Sequence, residues 1–411
     1  MTKLLMIADD MTGALDSGVM LQARHIRTLV QIDANAEIRD ILNLCDVIVV
    51  NTETRHLPPH EAYQRVYQVA RQATELGIPF LYKKTDSALR GNIGAELQAV
   101  LDAGKESTIH FAPAYPQIHR TTVAGKQIID GIPLDQSSFA QDPLNPSKSA
   151  YIPDIIAGQS NVPVLLDQEP DVIGPHIRLY NAQTTAQLNQ IAHSLLAHCT
   201  HGLFAGCAAF IGEMAPYLPI TSSSEKVVSI SSPLTVFCGS MHEQGKRQID
   251  AAIRHGATHY PVEARWAISP EYWCQGEGHS LILQMQEHLA AGTPFLFSIL
   301  REHDGERYPG EQREISDKLP HAIATVIQQV LDGSKIGLPM IIGGDTLGAY
   351  LSHMGIKYVS PIEELYPGVV LATYQLGDQT KPFVAKAGSF GSDDLLINII
   401  DRLQNMIEEV V

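Results

Sequence analysis

Asp9 and Asp10 close the apolar run Leu4-Leu5-Met6-Ile7-Ala8 and precede Met11-Thr12-Gly13-Ala14-Leu15-Asp16. The pattern predicts a buried strand, a tight turn and the start of a helix. A carboxylate at such a turn can accept the proton of an attacking hydroxyl or hold a Mg2+ ion. Asp10 can equally cap the helix through its first N–H groups. Two adjacent acids repel each other, a cost that capping alone does not require, which favours chemistry at this turn.

Two more junctions in the first half carry charged groups of the right kind. Val47-Ile48-Val49-Val50 leads into Asn51-Thr52-Glu53-Thr54-Arg55, where the planar Arg55 fork could hold a substrate carboxylate in bidentate fashion. The alternative is a surface arginine paired with Glu53 or Glu61. The third junction runs from Phe80-Leu81-Tyr82 through Lys83-Lys84-Thr85-Asp86-Ser87-Ala88-Leu89 to Arg90-Gly91-Asn92. Two lysines close a strand, a small polar loop follows, and Arg90 stands at a helix start, so positive charge and helix-terminal N–H groups gather where an anion could bind. The simpler reading is a solvated loop with Asn92 as N-cap.

The second half carries three strand-turn-helix junctions rich in glycine and hydroxyls: Cys238-Gly239-Ser240, Ile342-Gly343-Gly344-Asp345-Thr346, and Lys386-Ala387-Gly388-Ser389-Phe390-Gly391-Ser392. Glycine lets backbone N–H groups approach phosphate oxygens, and hydroxyls add short donors. Three such turns in one half point to a nucleotide site. Other motifs fail. Gly239 to Gly245 is one residue too long for a Walker A loop, and Arg247 stands where Ser or Thr is needed. No G-x-G-x-x-G follows a strand, no H-E-x-x-H occurs among 17 histidines, and no G-x-S-x-G elbow is present.

The elements that position these residues are short apolar runs followed by helix-period segments, at Leu4–Ala8, Val47–Val50, Phe80–Tyr82, Ile109–Ala112, Leu234–Cys238 and Met340–Ile342. The expected fold is α/β: two α/β domains, each with a mainly parallel sheet flanked by helices. A polar, Ser-rich stretch flanked by prolines, from Tyr217 to Ser232, reads as a linker, which places the domains at 1–225 and 226–411. Tyr115 to Pro153 lacks periodicity and reads as a long binding loop or lid.

Bulk properties restrict the partners. With 411 residues and 45% apolar content the chain can build two cores. A net charge of −16 leaves no general attraction for nucleic acid or anionic lipid, so neither nucleic acid nor membrane is an expected partner. Five cysteines without a C-x-x-C pair fit a reducing compartment better than a disulfide framework or zinc site. The amino terminus lacks a signal-like apolar stretch, so the expected location is the cytoplasm.

Taken together, Ala8-Asp9-Asp10-Met11-Thr12-Gly13-Ala14, Lys84-Thr85-Asp86-Ser87-Ala88-Leu89-Arg90-Gly91-Asn92-Ile93-Gly94, Gly343-Gly344-Asp345-Thr346 and Lys386-Ala387-Gly388-Ser389-Phe390-Gly391 strongly resemble the four-carbon acid sugar kinase family. The resemblance spans both halves. It implies an amino-terminal domain that binds the sugar acid, a carboxyl-terminal domain that binds ATP, and an active site in the interdomain cleft. It also implies phosphorylation of the 4-hydroxyl of D-threonate, D-erythronate or 3-oxo-tetronate, with D-threonate placed first. Carried over, Asp9, Asp10, Arg55, Lys84, Thr85, Asp86, Ser87 and Arg90 would contact the acid. Ser240, Gly343, Gly344, Asp345, Thr346, Gly388, Ser389, Phe390 and Gly391 would contact the nucleotide. This chain departs from the family pattern at His242 and Gly245, where Ser and then Thr are usual, and at His119, which replaces a Gly before Arg120.

Phosphoryl transfer then calls for ATP, Mg2+, a cation clamp and a carboxylate beside the hydroxyl, with Asp10 or Asp86 as the proton acceptor. Closure of the cleft would exclude water. The Mg2+ ligands are left unassigned, and a homodimer is an open assembly state. Rival readings are a kinase for a five- or six-carbon acid and a non-catalytic sugar-acid sensor.

Overall fold

The computed structural model describes residues 2–141, 146–170, 172–197, 199–220, 234–240, 242–300, 309–332 and 337–408. The chain divides into two compact units, Met1–Glu225 and Lys226–Val411. The Ser-rich stretch from Thr221 to Ser232, read above as part of a linker, lies outside the described residues.

The first unit begins with β1 (Leu4–Ala8), α1 (Met11–Gln22), β2 (Thr28–Gln31), β3 (Val47–Asn51), α2 (Pro59–Glu75), β4 (Phe80–Lys84), α3 (Ile93–Ala103) and β5 (Thr108–Ala112). It continues with β6 (Arg120–Val123), β7 (Lys126–Ile129), β8 (Ile132–Pro133), α4 (Ile152–Ala157), β9 (Val164–Leu166), β10 (His176–Leu179), α5 (Thr185–Leu196), β11 (Gly202–Gly206) and α6 (Ala208–Met214). Strands in the order β2-β3-β1-β4-β11-β5-β10-β9 pair in parallel. Every residue of β1, β3 and β4 is buried, as a strand covered on both faces requires, and β1 and β3 are accordingly apolar almost throughout. Helix α2 starts with Pro59 at its first position and buries Ala62, Val66, Val69, Ala70 and Ala73, one stripe at helical spacing. A reciprocal capping box between Thr184 and Gln187 starts α5.

Tyr115 to Pro153 corrects one expectation. It is not structureless: β6, β7 and β8 form a small antiparallel sheet. Two-residue turns with both φ positive make its hairpins, Ala124-Gly125 (φ 49° and 74°) and Asp130-Gly131 (φ 51° and 83°). Such turns match the right-handed twist of the flanking strands, and Asp-Gly is their usual sequence.

The second unit contains β12 (Leu234–Cys238), α7 (Glu243–Arg254), β13 (His259–Glu263), α8 (Ala264–Ala267), α9 (Pro270–Cys274), α10 (Gly276–Ala290) and β14 (Phe295–Leu300). Then come α11 (Pro309–Leu331), β15 (Leu338–Ile342), α12 (Gly344–His353), β16 (Tyr358–Tyr366), β17 (Val369–Leu376), β18 (Gln379–Lys386) and α13 (Leu395–Glu408). Strands β13-β14-β12-β15-β18 pair in parallel, and β17 and β16 extend the sheet as an antiparallel meander. Val236, Met340, Ile342, Leu371 and Val384 from the sheet pack with Ile249 of α7 and Leu396 and Ile399 of α13 in one apolar cluster. Both units are therefore α/β with mainly parallel sheets, as expected; the meander was not foreseen. No described helix is long and apolar enough to cross a membrane.

Candidate functional site

Strand register brings four turns of the first unit to one level. Ala8 pairs with Asn51 on one side and Lys84 on the other, and Lys84 pairs with Gly206. The turns that start at Asp9, Thr52, Thr85 and Cys207 therefore share the carboxyl edge of the sheet, the usual ligand site in open α/β folds. Backbone hydrogen bonds tie them together: Thr52 N donates to Ala8 O at 2.8 Å, Thr54 N to Asp9 O at 3.0 Å and Thr85 N to Gly206 O at 2.8 Å.

Of the two roles that the sequence left open for Asp10, the structure shows the cap, together with a pairing to Arg55. Asp10 is the N-cap of α1, with Oδ1 accepting from Gly13 N at 2.8 Å, and its Oδ2 accepts from Thr12 Oγ1 at 2.8 Å and meets Arg55 Nη1. Arg55 also donates from Nε to Asp9 Oδ2 at 2.7 Å and reaches within 3.9 Å of Asp86 Oδ1. Thus Arg55 leaves the surface and joins the two acids, in place of the alternative pairing with Glu53 or Glu61. Burial would raise the Asp10 carboxyl, but Arg55 and Lys84 outweigh it and hold it below its ordinary value. Burial would likewise lower Arg55, and Asp10, Asp9 and Asp86 together push it well above its ordinary value.

The loop from Thr85 to Asn92 is wound on the Asp86 side chain. Its Oδ2 accepts from Ala88 N at 3.2 Å and Arg90 N at 3.3 Å, while the Arg90 fork grips both oxygens at 2.9 and 3.0 Å. Leu89 takes a left-handed conformation (φ 57°), which this wrapping holds in place. Burial would raise Asp86, yet Arg90 and Arg55 keep it well below the usual carboxylate range. Asn92 occupies the N-cap position of α3 without capping it. Its Nδ2 instead donates to Thr54 O and Leu57 O, both at 2.8 Å, a correction to the capping reading that follows from two buried carbonyls needing donors. The β6–β8 segment also reaches this loop: Arg120 donates to Ser87 Oγ, Gln127 Nε2 donates to Ser87 O at 2.8 Å, and Phe139 lies under both Arg90 and Arg120.

Lys83 and Lys84 point to opposite faces of β4, as successive strand residues must. Lys83 is fully buried and pairs with Glu96 of α3 at 2.8 Å, donating also to Lys84 O at 2.6 Å and Ile7 O at 3.2 Å. It is a structural cation, so the three-cation cluster read from the sequence divides. Lys84 is 4% exposed and its ammonium, among the described residues, makes no hydrogen bond or ion pair; it lies over α1, where a Cβ on Gly13 would come within 2.8 Å of Nζ. It acts on Asp10 and Asp16, and Asp16 Oδ1 is buried without a hydrogen-bond partner, as are Asp9 Oδ1, Ser17 Oγ and Thr85 Oγ1 elsewhere in the unit. Native interiors satisfy nearly all such groups, so the orphaned Asp16 Oδ1 beside a buried cation without a partner makes this spot a candidate for a polar ligand. Asp16 and Ser17 escaped the sequence reading; the signal was helical spacing, which puts Asp16 on the face of Gly13.

In the second unit the three glycine junctions also meet. Cys238 pairs with Ile342, and Ile342 with Lys386, so Gly239, Gly343 and Ala387 begin their turns side by side. Gly239 N donates to Ile342 O at 3.1 Å and Gly343 N to Lys386 O at 3.0 Å. A Cβ on Gly388 would collide with the Ser240 hydroxyl, and one on Gly239 with the Thr346 hydroxyl. Gly343 (φ 117°) precedes α12 with no side-chain cap, leaving the first N–H groups of Gly344, Asp345 and Thr346 for an anion. The third turn, Gly388-Ser389-Phe390-Gly391, is tethered by Gln248 of α7, whose Nε2 donates to Phe390 O at 2.9 Å and Ser392 O at 2.8 Å. His242, at a position departing from the family pattern, caps α7 through Nδ1. Lys386 is fully buried at the end of β18 and donates to Ala387 O at 2.9 Å; burial lowers it to about 8. Gln248 and the state of Lys386 were not anticipated. Among the described residues no group of three or more His, Cys, Asp or Glu side chains could hold a metal ion.

A family model described as a sugar-binding N-terminal domain matches residues 4–214, and one described as a nucleotide-binding C-terminal domain matches residues 235–396. This chain belongs to the four-carbon acid sugar kinase family. It is a sugar-acid kinase, an ATP-dependent phosphotransferase. Among its relatives, a D-threonate kinase of Salmonella typhimurium LT2 is 29% identical, with 98% of this chain and 99% of that one covered. A 3-oxo-tetronate kinase of Methylobacterium radiotolerans is 30% identical over 97% and 98% of the two chains, and a D-erythronate kinase of Heliobacterium modesticaldum 26% over 99% and 98%. A solved structure from Salmonella typhimurium LT2 shares the fold, with a TM-score of 0.75 at 20% identity over 97% of this chain and 99% of that one.

Proposed function

We propose that this kinase transfers the γ-phosphate of ATP to the 4-hydroxyl of D-threonate, giving 4-phospho-D-threonate. The observation that carries the reading is the buried Lys84 ammonium, without a hydrogen bond or ion pair among the described residues, over α1 beside Asp16, whose Oδ1 is orphaned. A small acid bearing several hydroxyls offers the matching groups: a carboxylate for the cation and hydroxyls that donate to carboxylates and accept from Thr and Ser. Arg55, Arg90, Asp10 and Asp86 hold the turns that frame this spot, and Ser87 is fixed by Arg120 and Gln127.

The nucleotide is assigned to the second unit. The uncapped start of α12, with Gly344, Asp345 and Thr346, would receive phosphate oxygens; Ser240 and the Gly388 to Gly391 turn would close on them. The close approach of Gly388 to Ser240 is the fit that supports this, since any side chain there would fill the turn. Mg2+ neutralises phosphate charge in such reactions and commonly keeps water and phosphate ligands.

D-Threonate is placed first because the Salmonella relative is named for it. Steady-state kinetics with D-threonate, D-erythronate, 3-oxo-tetronate and five- and six-carbon acids, read as ADP release, test the choice. The highest kcat/KM is expected on D-threonate; a higher value on any other acid reassigns the substrate, and saturable acid binding with no ADP release would make the protein a sensor.

A further inference from the structure

Three carboxylates at the first unit's site are already engaged. Asp9 and Asp10 meet Arg55, and Asp86 is gripped by Arg90. Arginine pairing stabilises the ionised form and makes a carboxylate a weaker base. The fourth, Asp16, differs. It lies on α1, three residues after Gly13, and is 8% exposed, with Oδ1 buried and unpartnered. Lys84 of β4 crosses the same helix face at Gly13. The charged or titratable groups that act on Asp16 are Lys84 from β4, Asp10 from the turn before α1, Arg120 from β6 and Cys207 from the turn after β11.

Resting on the kinase reading above, we propose that Asp16 is the general base of the reaction. The acceptor hydroxyl passes its proton to Asp16 Oδ1 as its oxygen bonds the γ-phosphorus. The bond between that phosphorus and the β–γ bridging oxygen breaks, leaving ADP, and the proton returns from Asp16 to water after product leaves. The base-strength argument agrees with the geometry: burial pushes Asp16 up to about 6, against the pull of Lys84, so it is ionised at neutral pH yet basic enough to accept a proton. Asp10 and Asp86, the bases suggested by spacing, become the groups that orient Arg55 and Arg90.

The test is the pH dependence of kcat/KM for the sugar acid in wild type, Asp16→Asn and Asp10→Asn. Wild type should lose activity as pH falls through about 6. Asp16→Asn should lower kcat by roughly 10²- to 10⁴-fold and erase that acid limb, with KM for the acid changed by only a few-fold. Asp10→Asn should keep the limb. An unchanged limb in Asp16→Asn, or a kcat within a few-fold of wild type, overturns the assignment. So does a wild-type profile flat below pH 6, which needs no variant to fold. If wild type releases no ADP with any acid, the kinase reading itself fails; turnover by wild type with an unaltered Asp16→Asn rejects Asp16 alone.

Discussion

Among the described residues of the first unit, Asp9, Asp10 and Asp86 each meet an arginine, whereas the Lys84 ammonium and Asp16 Oδ1 find no hydrogen-bonding partner. In the proposed function the matched groups frame the site and the unmatched ones meet the ligand. Lys84→Met should therefore lower kcat/KM for the sugar acid by roughly 10²-fold, the scale of one charge-assisted hydrogen bond, and leave KM for ATP unchanged. An unaltered kcat/KM in a steady-state assay would show that the ammonium does not touch the acid. Much of this was legible in the sequence. Asp9, Asp10, Arg55, Lys84 and Asp86 stand out because they close or follow strands. Asp16 did not, because its meaning depends on which helix face meets Lys84, and Lys386 did not, because only burial sets its basicity apart from that of a surface lysine.

At the scale of elements, the ion pair between Lys83 and Glu96 holds β4, through Ile7 O, beside β1 and against α3. Removing one partner leaves a buried charge uncompensated, so Lys83→Met should destabilise the fold by about 3–5 kcal/mol, measured by urea unfolding at pH 7. Burial outweighs Lys83 and raises Glu96 above its ordinary value, so the folded state binds that proton more tightly than the unfolded state. Stability from this group is therefore greatest at acid pH and is lost as pH rises through the folded value. The deficit of Lys83→Met should shrink as pH falls; a deficit independent of pH would mean that Glu96 finds another partner. The opposite facing of Lys83 and Lys84 was available from strand alternation alone. The hairpins inside Tyr115–Pro153 were also signalled, by Asp130-Gly131. What hid them was brevity, since strands of two to four residues show too little alternation to be read.

For the whole molecule, the proposed function puts the acid in the first unit and the nucleotide in the second. The α/β character of both halves was legible because each repeats an apolar run followed by a helix, while the meander β16–β18 was not, since its connections carry no helix-period segment to mark them. Hydrogen exchange should locate the two ligands separately. D-Threonate is expected to protect the turn at Asp9–Gly13 and the loop from Thr85 to Asn92, and an unreactive ATP analogue the turns at Gly239–Ser240, Gly343–Thr346 and Gly388–Gly391. Protection by both ligands in one unit only would refute the division. Gly388→Ala should abolish protection by the nucleotide without altering protection by the acid, because the added methyl occupies the space of the Ser240 hydroxyl. The most direct measurement is phosphorus NMR of the products formed from ATP, Mg2+ and D-threonate. One phosphomonoester, coupled to the carbon-4 protons, is expected for each ADP released; inorganic phosphate in its place, or a phosphate on another carbon, would contradict transfer to the 4-hydroxyl.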